Sequence, residues 1–220
     1  MTRLKEKMMM ELERDPTFKV EDMHDLARPQ IRERIMTRAR NLVFHMQNDS
    51  MENSRLRFDI ISLVDPGFMT RMGVHYGLFL GALMGSGTGE QIAYWLEKGA
   101  YNLQGMIGCF GMTELGHGSN VSGIETTSTF DPSSDEFIIH TPTLTATKWW
   151  IGGAAQTATH CSVFAQLIVK GKRYGVKSFI VQLRDPVTYD LMPGVNIGDC
   201  GAKMASINAL DHFEIIVLYL

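Results

Sequence analysis

The chain is short of positive charge, of paired cysteines and of long apolar runs, and each shortage excludes a class of function. A net charge of −3 over 220 residues provides no overall pull toward a polyanion, and no basic run alternates with aromatics as a nucleic-acid surface requires. The three cysteines, Cys109, Cys161 and Cys200, are far apart, with no CxxC pair and no cluster with histidine at zinc spacing. They are expected to be reduced core thiols. The most apolar stretch, Val74 to Gly85, is shorter than the roughly 20 residues a bilayer span needs. The start, Met1-Thr2-Arg3-Leu4-Lys5-Glu6, enters a charged helical pattern instead of a secretory signal, so an intracellular protein is expected. Leu218-Tyr219-Leu220 is not a peroxisomal Ser-Lys-Leu-type address. No internal repeat or low-complexity tract appears.

What is present is a globular composition, 45% apolar and 20% charged, enough for one large domain or two ordinary ones. The texture changes near residue 105. Before it, apolar residues recur at helical spacing: Leu4, Met8 and Leu12; Ile31, Ile35, Met36, Ala39, Leu42 and Val43; Phe68, Met72, His75 and Phe79. Arg28-Pro29 suits a helix start, and Thr88-Gly89-Glu90-Gln91 is a capping box leading into a helix that Gly99 ends. Met8-Met9-Met10 reads as helix packing, and Gly85-Ser86-Gly87 as a turn. After residue 105, β-branched and aromatic segments predict strands at 126–130, 136–140, 161–169, 178–183, 195–197 and 213–217, divided by turn residues at 131–135, 170–172 and 185–186. The expected fold is α+β: an α-helical domain over 1–106, then an antiparallel β-barrel-like domain over 107–220.

Two segments carry the functional signal. Thr113-Glu114-Leu115-Gly116-His117-Gly118-Ser119-Asn120 is a two-glycine turn whose backbone N–H groups and short hydroxyls are expected to converge on an anionic ligand. Lys148-Trp149-Trp150-Ile151-Gly152-Gly153 sets flat aromatic surface beside backbone without side chains. A large, flat, phosphorylated cofactor needs both. On a strand, adjacent tryptophans point to opposite faces, so one of the two at most faces a ligand. His117 and Glu114 are candidate bases, each with a plainer reading, as a turn residue and a solvated carboxylate. No βαβ unit follows the glycines, so this is not a dinucleotide fingerprint.

The segments 109–120, 125–127, 137–142 and 146–153, continued by Ala158-Thr159-His160, Pro193-Gly194-Val195 and Gly198-Asp199-Cys200-Gly201-Ala202-Lys203-Met204, resemble the acyl-CoA oxidases. They occur in order and at similar spacings, nearest to the peroxisomal oxidases of fungi, and are more distantly similar to the acyl-CoA dehydrogenases. The resemblance implies FAD as cofactor, fatty acyl-CoA and molecular oxygen as substrates, trans-2-enoyl-CoA and hydrogen peroxide as products, fatty acid β-oxidation as context, a peroxisomal location and a homodimer. Carried over by residue, Thr113 matches the threonine that hydrogen-bonds the flavin and Gly152 the glycine that lies against it, with Ser119 and Trp150 as neighbours. Where dehydrogenases carry the threonine of W-I-T, this chain has Gly152, which implies space for oxygen.

The resemblance also implies a gap. Its members are roughly three times this length, and their catalytic glutamate lies in a C-terminal helical domain beyond these residues, so no residue here takes that role. The match frays after Met204, and the ending at 208–220 is expected to mark a truncated form with weak flavin binding and little turnover. The alternatives are a catalytically silent FAD- or acyl-CoA-binding fragment, or an acyl-CoA dehydrogenase.

Overall fold

The first 73 residues form four helices, three of them at segments of helical apolar spacing: α1 (Thr2–Arg14), α2 (Arg28–Met46), α3 (Met51–Val64) and α4 (Pro66–Gly73). The computed structural model describes residues 2–22, 25–201 and 216–219. These fall into two compact units, 2–73 and 74–201 with 216–219. In the first unit Met8, Leu12, Ile31, Ile35, Leu42, Ile60, Ile61 and Phe68 form a buried core. Of the methionine triplet only Met8 is buried, while Met9 and Met10 are about half exposed. Pro29 sits in the first turn of α2, and the Gln30 side chain accepts from the Ala27 N–H at 2.9 Å. Sequence spacing did not predict α3, because the face it buries includes Ser54 and Arg57 beside Ile60 and Ile61. Arg57 pairs there with Asp49 and Glu11.

Arg38, fully buried in α2, holds this unit together. Its guanidinium donates to the Thr17 carbonyl at 2.7 Å, to the Lys19 carbonyl and to Asp65. Asp65 in turn accepts from the Phe68 N–H at 2.9 Å and so caps α4. One cation thereby satisfies loop carbonyls and a helix N-terminus at once.

The second unit begins with a π-helical turn, Val74–Phe79, then α5 (Leu80–Ser86) and α6 (Gly89–Glu97). The capping box forms as expected, with Gln91 N–H on the Thr88 hydroxyl at 3.2 Å and Thr88 N–H on the Gln91 side chain at 2.9 Å. The turn expected at Gly85-Ser86-Gly87 is shorter than read: Gly85 and Ser86 are helical and only Gly87 is the cap. Helix propensity of the preceding Leu80-Gly81-Ala82-Leu83-Met84 carries through.

The strands are β1 (Gly108–Gly111), β2 (Thr127–Asp131), β3 (Glu136–His140), β4 (His160–Val169), β5 (Lys172–Gln182), β6 (Asn196–Asp199) and β7 (Ile216–Tyr219). The expected strand at 213–217 is described only from Ile216 onward; its first residues lie outside the described set. The sheet is mixed, which corrects the antiparallel expectation. β4 pairs antiparallel with β5 along one edge, and on its other edge with β1 and then β2, both parallel. β3 adds antiparallel to β2 through the hairpin at 131–136. A parallel pair cannot be closed by a short hairpin and needs a long crossover. Here the crossovers are irregular loops, 112–126 between β1 and β2 and 141–159 between β3 and β4.

No ladder among the described residues joins β3 to β5, so the described strands do not by themselves close the expected barrel. Aromatic side-chain contacts link β3 to β2 and to β5, Phe130 on Phe137 at 5.3 Å and Phe137 on Phe179 at 5.4 Å. β6 and β7 form a separate two-stranded ladder. One face of the sheet buries Cys109, Ile151, Ala154, Cys161, Val163 and Leu183. Phe79, Leu80, Leu83, Ala100 and Met106 form a second cluster, against which Trp95 and Ile180 pack.

His75 staples the unit: its Nε2–H donates to the Ala100 carbonyl at 2.7 Å, and its Nδ1 accepts the Gly108 N–H at 2.8 Å. The partners fix the neutral Nε2–H tautomer. They also draw β1 so close that a Cβ at Gly108 would lie 2.1 Å from Phe79 Cγ. Gly108→Ala is therefore expected to cost about 3 kcal/mol through overpacking. Gly85→Ala, where nothing lies within 4 Å, is expected to stabilise by about 0.5–1 kcal/mol. Urea denaturation midpoints check both, and equal midpoints would contradict the close approach.

Candidate cofactor site

Both crossover loops contain the segments singled out in the sequence, and backbone hydrogen bonds zip them together. Leu115 N–H donates to the Thr147 carbonyl at 2.8 Å, Gly116 N–H to Thr145 at 2.9 Å, and Trp149 N–H to Thr113 at 3.0 Å. Glu114 and His117 close the turn on each other at 3.0 and 3.1 Å. This corrects the picture of a turn whose amides converge on an anion: the N–H groups of Glu114, Leu115, Gly116 and His117 are consumed within the protein. The amides of Thr113 and of the exposed stretch 118–120 are not among these. The two glycines separate accordingly. A Cβ at Gly116 would meet the Thr145 Cβ at 2.9 Å, whereas at Gly118 nothing of the protein lies within 4 Å. Gly116 is a packing requirement and Gly118 borders open space.

Glu114 is no base. Its carboxylate is buried and accepts from Glu125 N–H at 2.8 Å, Thr126 N–H at 2.9 Å and the Thr126 hydroxyl at 2.6 Å. The Lys148 ammonium, fully buried, reaches it at 3.0 Å and also donates to the Phe164 carbonyl at 2.7 Å and to Met112 at 3.2 Å. Burial pushes the Glu114 carboxyl up, but the Glu125 and Thr126 donors and the nearby ammonium together hold it below the usual carboxylate range. Burial also draws Lys148 down from the usual lysine value, against the opposing pull of Glu114. A carboxylate so thoroughly hydrogen-bonded has little capacity to take a proton from carbon. His117 is likewise engaged, with Nε2 on Glu125 Oε1 at 2.9 Å, and Glu125 accepts from Thr143 at 2.5 Å and Thr145 at 2.9 Å.

Trp149 and Trp150 are not on a strand, so alternation does not order them. Trp149 is half-buried, while Trp150 is 57% exposed at φ +66°. A left-handed backbone at a bulky aromatic residue costs about 1–3 kcal/mol and persists only where neighbours over-determine it. Here the neighbours are Lys148 at 0% exposure and Ile151 at 1%. Gly152 is buried and opens the turn at 152–157, followed by Gly153 at φ +79°. Arg184, itself buried, fixes that turn by donating to the carbonyls of Ala154 at 2.6 Å, Ala158 at 2.8 Å and Ala155. Ser119 lies exposed at the far end of the zipped turn from Thr113.

A displayed indole, a glycine beside open space and exposed Ser119 and Asn120 fit a flat ligand with a polar extension. Lys148, Thr126 and Arg184 escaped sequence reasoning as site-building residues, although the lysine inside a Trp-rich run was a visible signal. Among the described residues no three metal-ligating side chains gather, and no helix is long and apolar enough to cross a membrane. Cys109 and Cys161 are buried without a disulfide, as expected, but Cys200 is exposed. It directly follows β6, beside Gly201 at φ +82°, and not in the core.

Burial lowers His160 from 6.5 to about 4. The unfolded chain therefore binds that proton first, and stability falls as pH drops from 6.5 toward 4. Glu114 acts in the next window: its contribution is full above its unfolded value of 4.5 and is lost as pH falls through its lower folded value. The urea midpoint is expected to fall continuously from pH 7 to below 4.5, and His160→Gln to flatten the upper part of that fall. A midpoint constant between pH 6.5 and 4 would contradict it.

The arrangement has close parallels in known proteins. Residues 1–105 match the family model "Acyl-coenzyme A oxidase N-terminal", and residues 109–216 match "Acyl-CoA dehydrogenase, middle domain". Acyl-coenzyme A oxidase 2 of Yarrowia lipolytica is 54% identical over 199 residues, which cover 90% of this chain and 28% of that one. The crystal structure of acyl-CoA oxidase 3 from Yarrowia lipolytica superposes with a TM-score of 0.91 at 50% identity, covering 99% of this chain and 31% of that one. A Caenorhabditis elegans acyl-CoA oxidase 2, described as bound with FAD, ascaroside-CoA and ATP, superposes at 0.81 with 30% identity, covering 99% of this chain and 32% of that one. The chain spans under a third of the length of these relatives. Two family models that between them account for nearly all of the residues, with a fold matched end to end, establish that this chain belongs to the acyl-CoA oxidase family.

Proposed function

We propose that these residues form the FAD- and acyl-CoA-binding portion of an acyl-CoA oxidase, which converts a fatty acyl-CoA and oxygen to trans-2-enoyl-CoA and hydrogen peroxide in peroxisomal β-oxidation. The observation that carries the reading is the exposed, left-handed Trp150, zipped through Trp149 and Thr113 to the glycine turn. In the proposed division, 1–106 is a helical domain and 107–220 a β domain, which the meeting point of the two family models supports, while α5 and α6 pack by contacts with the second compact unit. Thr113 and Ser119 would supply hydrogen bonds to the cofactor, Trp150 an apolar face, and Gly152 close backbone approach. Bound FAD supplies the two-electron acceptor for the β-hydrogen of the acyl thioester. By the resemblance to the family, the α-proton goes to a carboxylate outside residues 1–220; Glu114, held in its ion pair, is not suited to that role. The full-length assembly is proposed to be a homodimer.

Titrating purified chain with FAD, followed by flavin fluorescence and visible absorbance, tests the reading. Saturable but weak binding and negligible acyl-CoA oxidation are expected. Thr113→Val is expected to weaken binding about tenfold, the value of one hydrogen bond near 1.4 kcal/mol. A flavin-saturated chain that oxidises acyl-CoA by itself would overturn the division of labour, and absence of saturation the cofactor assignment. In a full-length relative, threonine at the position of Gly152 is expected to slow peroxide formation, because a side chain there occupies the space proposed for oxygen. Unchanged oxygen reactivity would remove that role.

A further inference from the structure

Lys148 and Glu114 touch neither solvent nor any group proposed to react, yet they lie at the two places where exact placement matters. Glu114 immediately follows Thr113, and Lys148 stands two residues before Trp150. The ammonium joins three parts of the second unit: the turn at 112–114 through Met112 and Glu114, the loop carrying the tryptophans through its own backbone, and β4 through the Phe164 carbonyl. The carboxylate adds a fourth through Glu125 and Thr126, where the chain enters β2. The pair thus ties both crossovers to the sheet from inside. A second, independent observation lies two residues away: Trp150 holds a backbone conformation that a tryptophan does not adopt unaided.

We propose that the buried Glu114–Lys148 pair is the positioning device of this site, locking the segment that carries Thr113 to the segment that carries Trp150 and Gly152, and so holding the Trp150 indole in its displayed, left-handed pose. The proposal rests on the FAD reading for its purpose, though not for its geometry. A buried ion pair contributes little net stability against an apolar pair of similar shape. Its role here is to fix register, because every donor and acceptor of the pair is directional and nearly all are met by backbone.

The test uses the whole 220-residue chain labelled with 5-fluorotryptophan, whose three tryptophans give separate fluorine signals. The variant Glu114→Gln with Lys148→Met removes both charges at nearly constant shape, so no charge is left buried alone. Its Trp150 signal is expected to move or broaden while that of Trp95 stays, and its affinity for FAD to fall by about tenfold or more with an altered visible circular dichroism of the bound flavin. Arg38→Met, which loosens the first unit, controls for general destabilisation and is expected to change neither readout. Should the double variant not fold, Thr126→Val, which deletes only the hydroxyl donor to Glu114, is expected to change both readouts in the same direction by a smaller amount. An unmoved Trp150 signal overturns the proposal whether or not FAD binds. A moved signal with unchanged FAD affinity and dichroism also overturns it. If wild-type chain binds no FAD, the cofactor reading fails by itself, and the fluorine signal still decides whether the pair positions Trp150.

Discussion

An ammonium with no access to water must be surrounded by oxygen, and the second unit is arranged so that Lys148 is. Two carbonyls and one carboxylate surround it, and the carboxylate has three further donors of its own. Removing either partner leaves an uncompensated charge in the interior, worth about 3–5 kcal/mol. The pair therefore constrains everything hung from it: the zipped turn at 113–118, the tryptophans at 149 and 150, and the entry into β2. Arg184 repeats the device with carbonyls of the 154–158 turn, and Arg38 repeats it among the first four helices. Buried cations that gather loop carbonyls recur where this chain needs irregular backbone to be rigid.

Topology explains why such rigidity is needed. β1 and β2 lie in succession along one edge of β4, both parallel to it, so the chain must make long excursions to return in the right direction. In many parallel arrangements a helix fills that excursion. Here loops do, and a loop exposes backbone donors and acceptors that need partners. Zipping the two excursions against each other satisfies them and at the same time leaves Trp150, Gly118 and Ser119 at the surface. The candidate site is thus what remains unpaired after the crossovers have paired with each other.

Much of this was readable from residues, for reasons that can be named. The turn residues at 131–135 and 170–172 bracket β-branched runs, so β3 and most of β4 were evident. The Thr88 capping box formed as its spacing dictated. Parallel pairing was not readable, because alternation marks a strand and says nothing of its partner. α3 was hidden by Arg57 on its buried face. In the site, the order of motifs was informative but the chemistry of Glu114 was not: a glutamate beside a glycine turn gives no sign of a lysine 34 positions later reaching it in the interior. The positive φ of Trp150 was equally silent, since only tertiary anchors impose it.

Gly118 has a different kind of meaning from its neighbour. Gly116 is explained by the folded chain, which leaves no room for a methyl group beside Thr145. Nothing within 4 Å of Gly118 forbids a side chain, and its backbone is not in the left-handed region that favours glycine. The folded chain therefore leaves room for a side chain at that position. Two glycines two residues apart thus mark a border: up to 116 the turn is shaped by its own chain, and from 118 onward it faces open space.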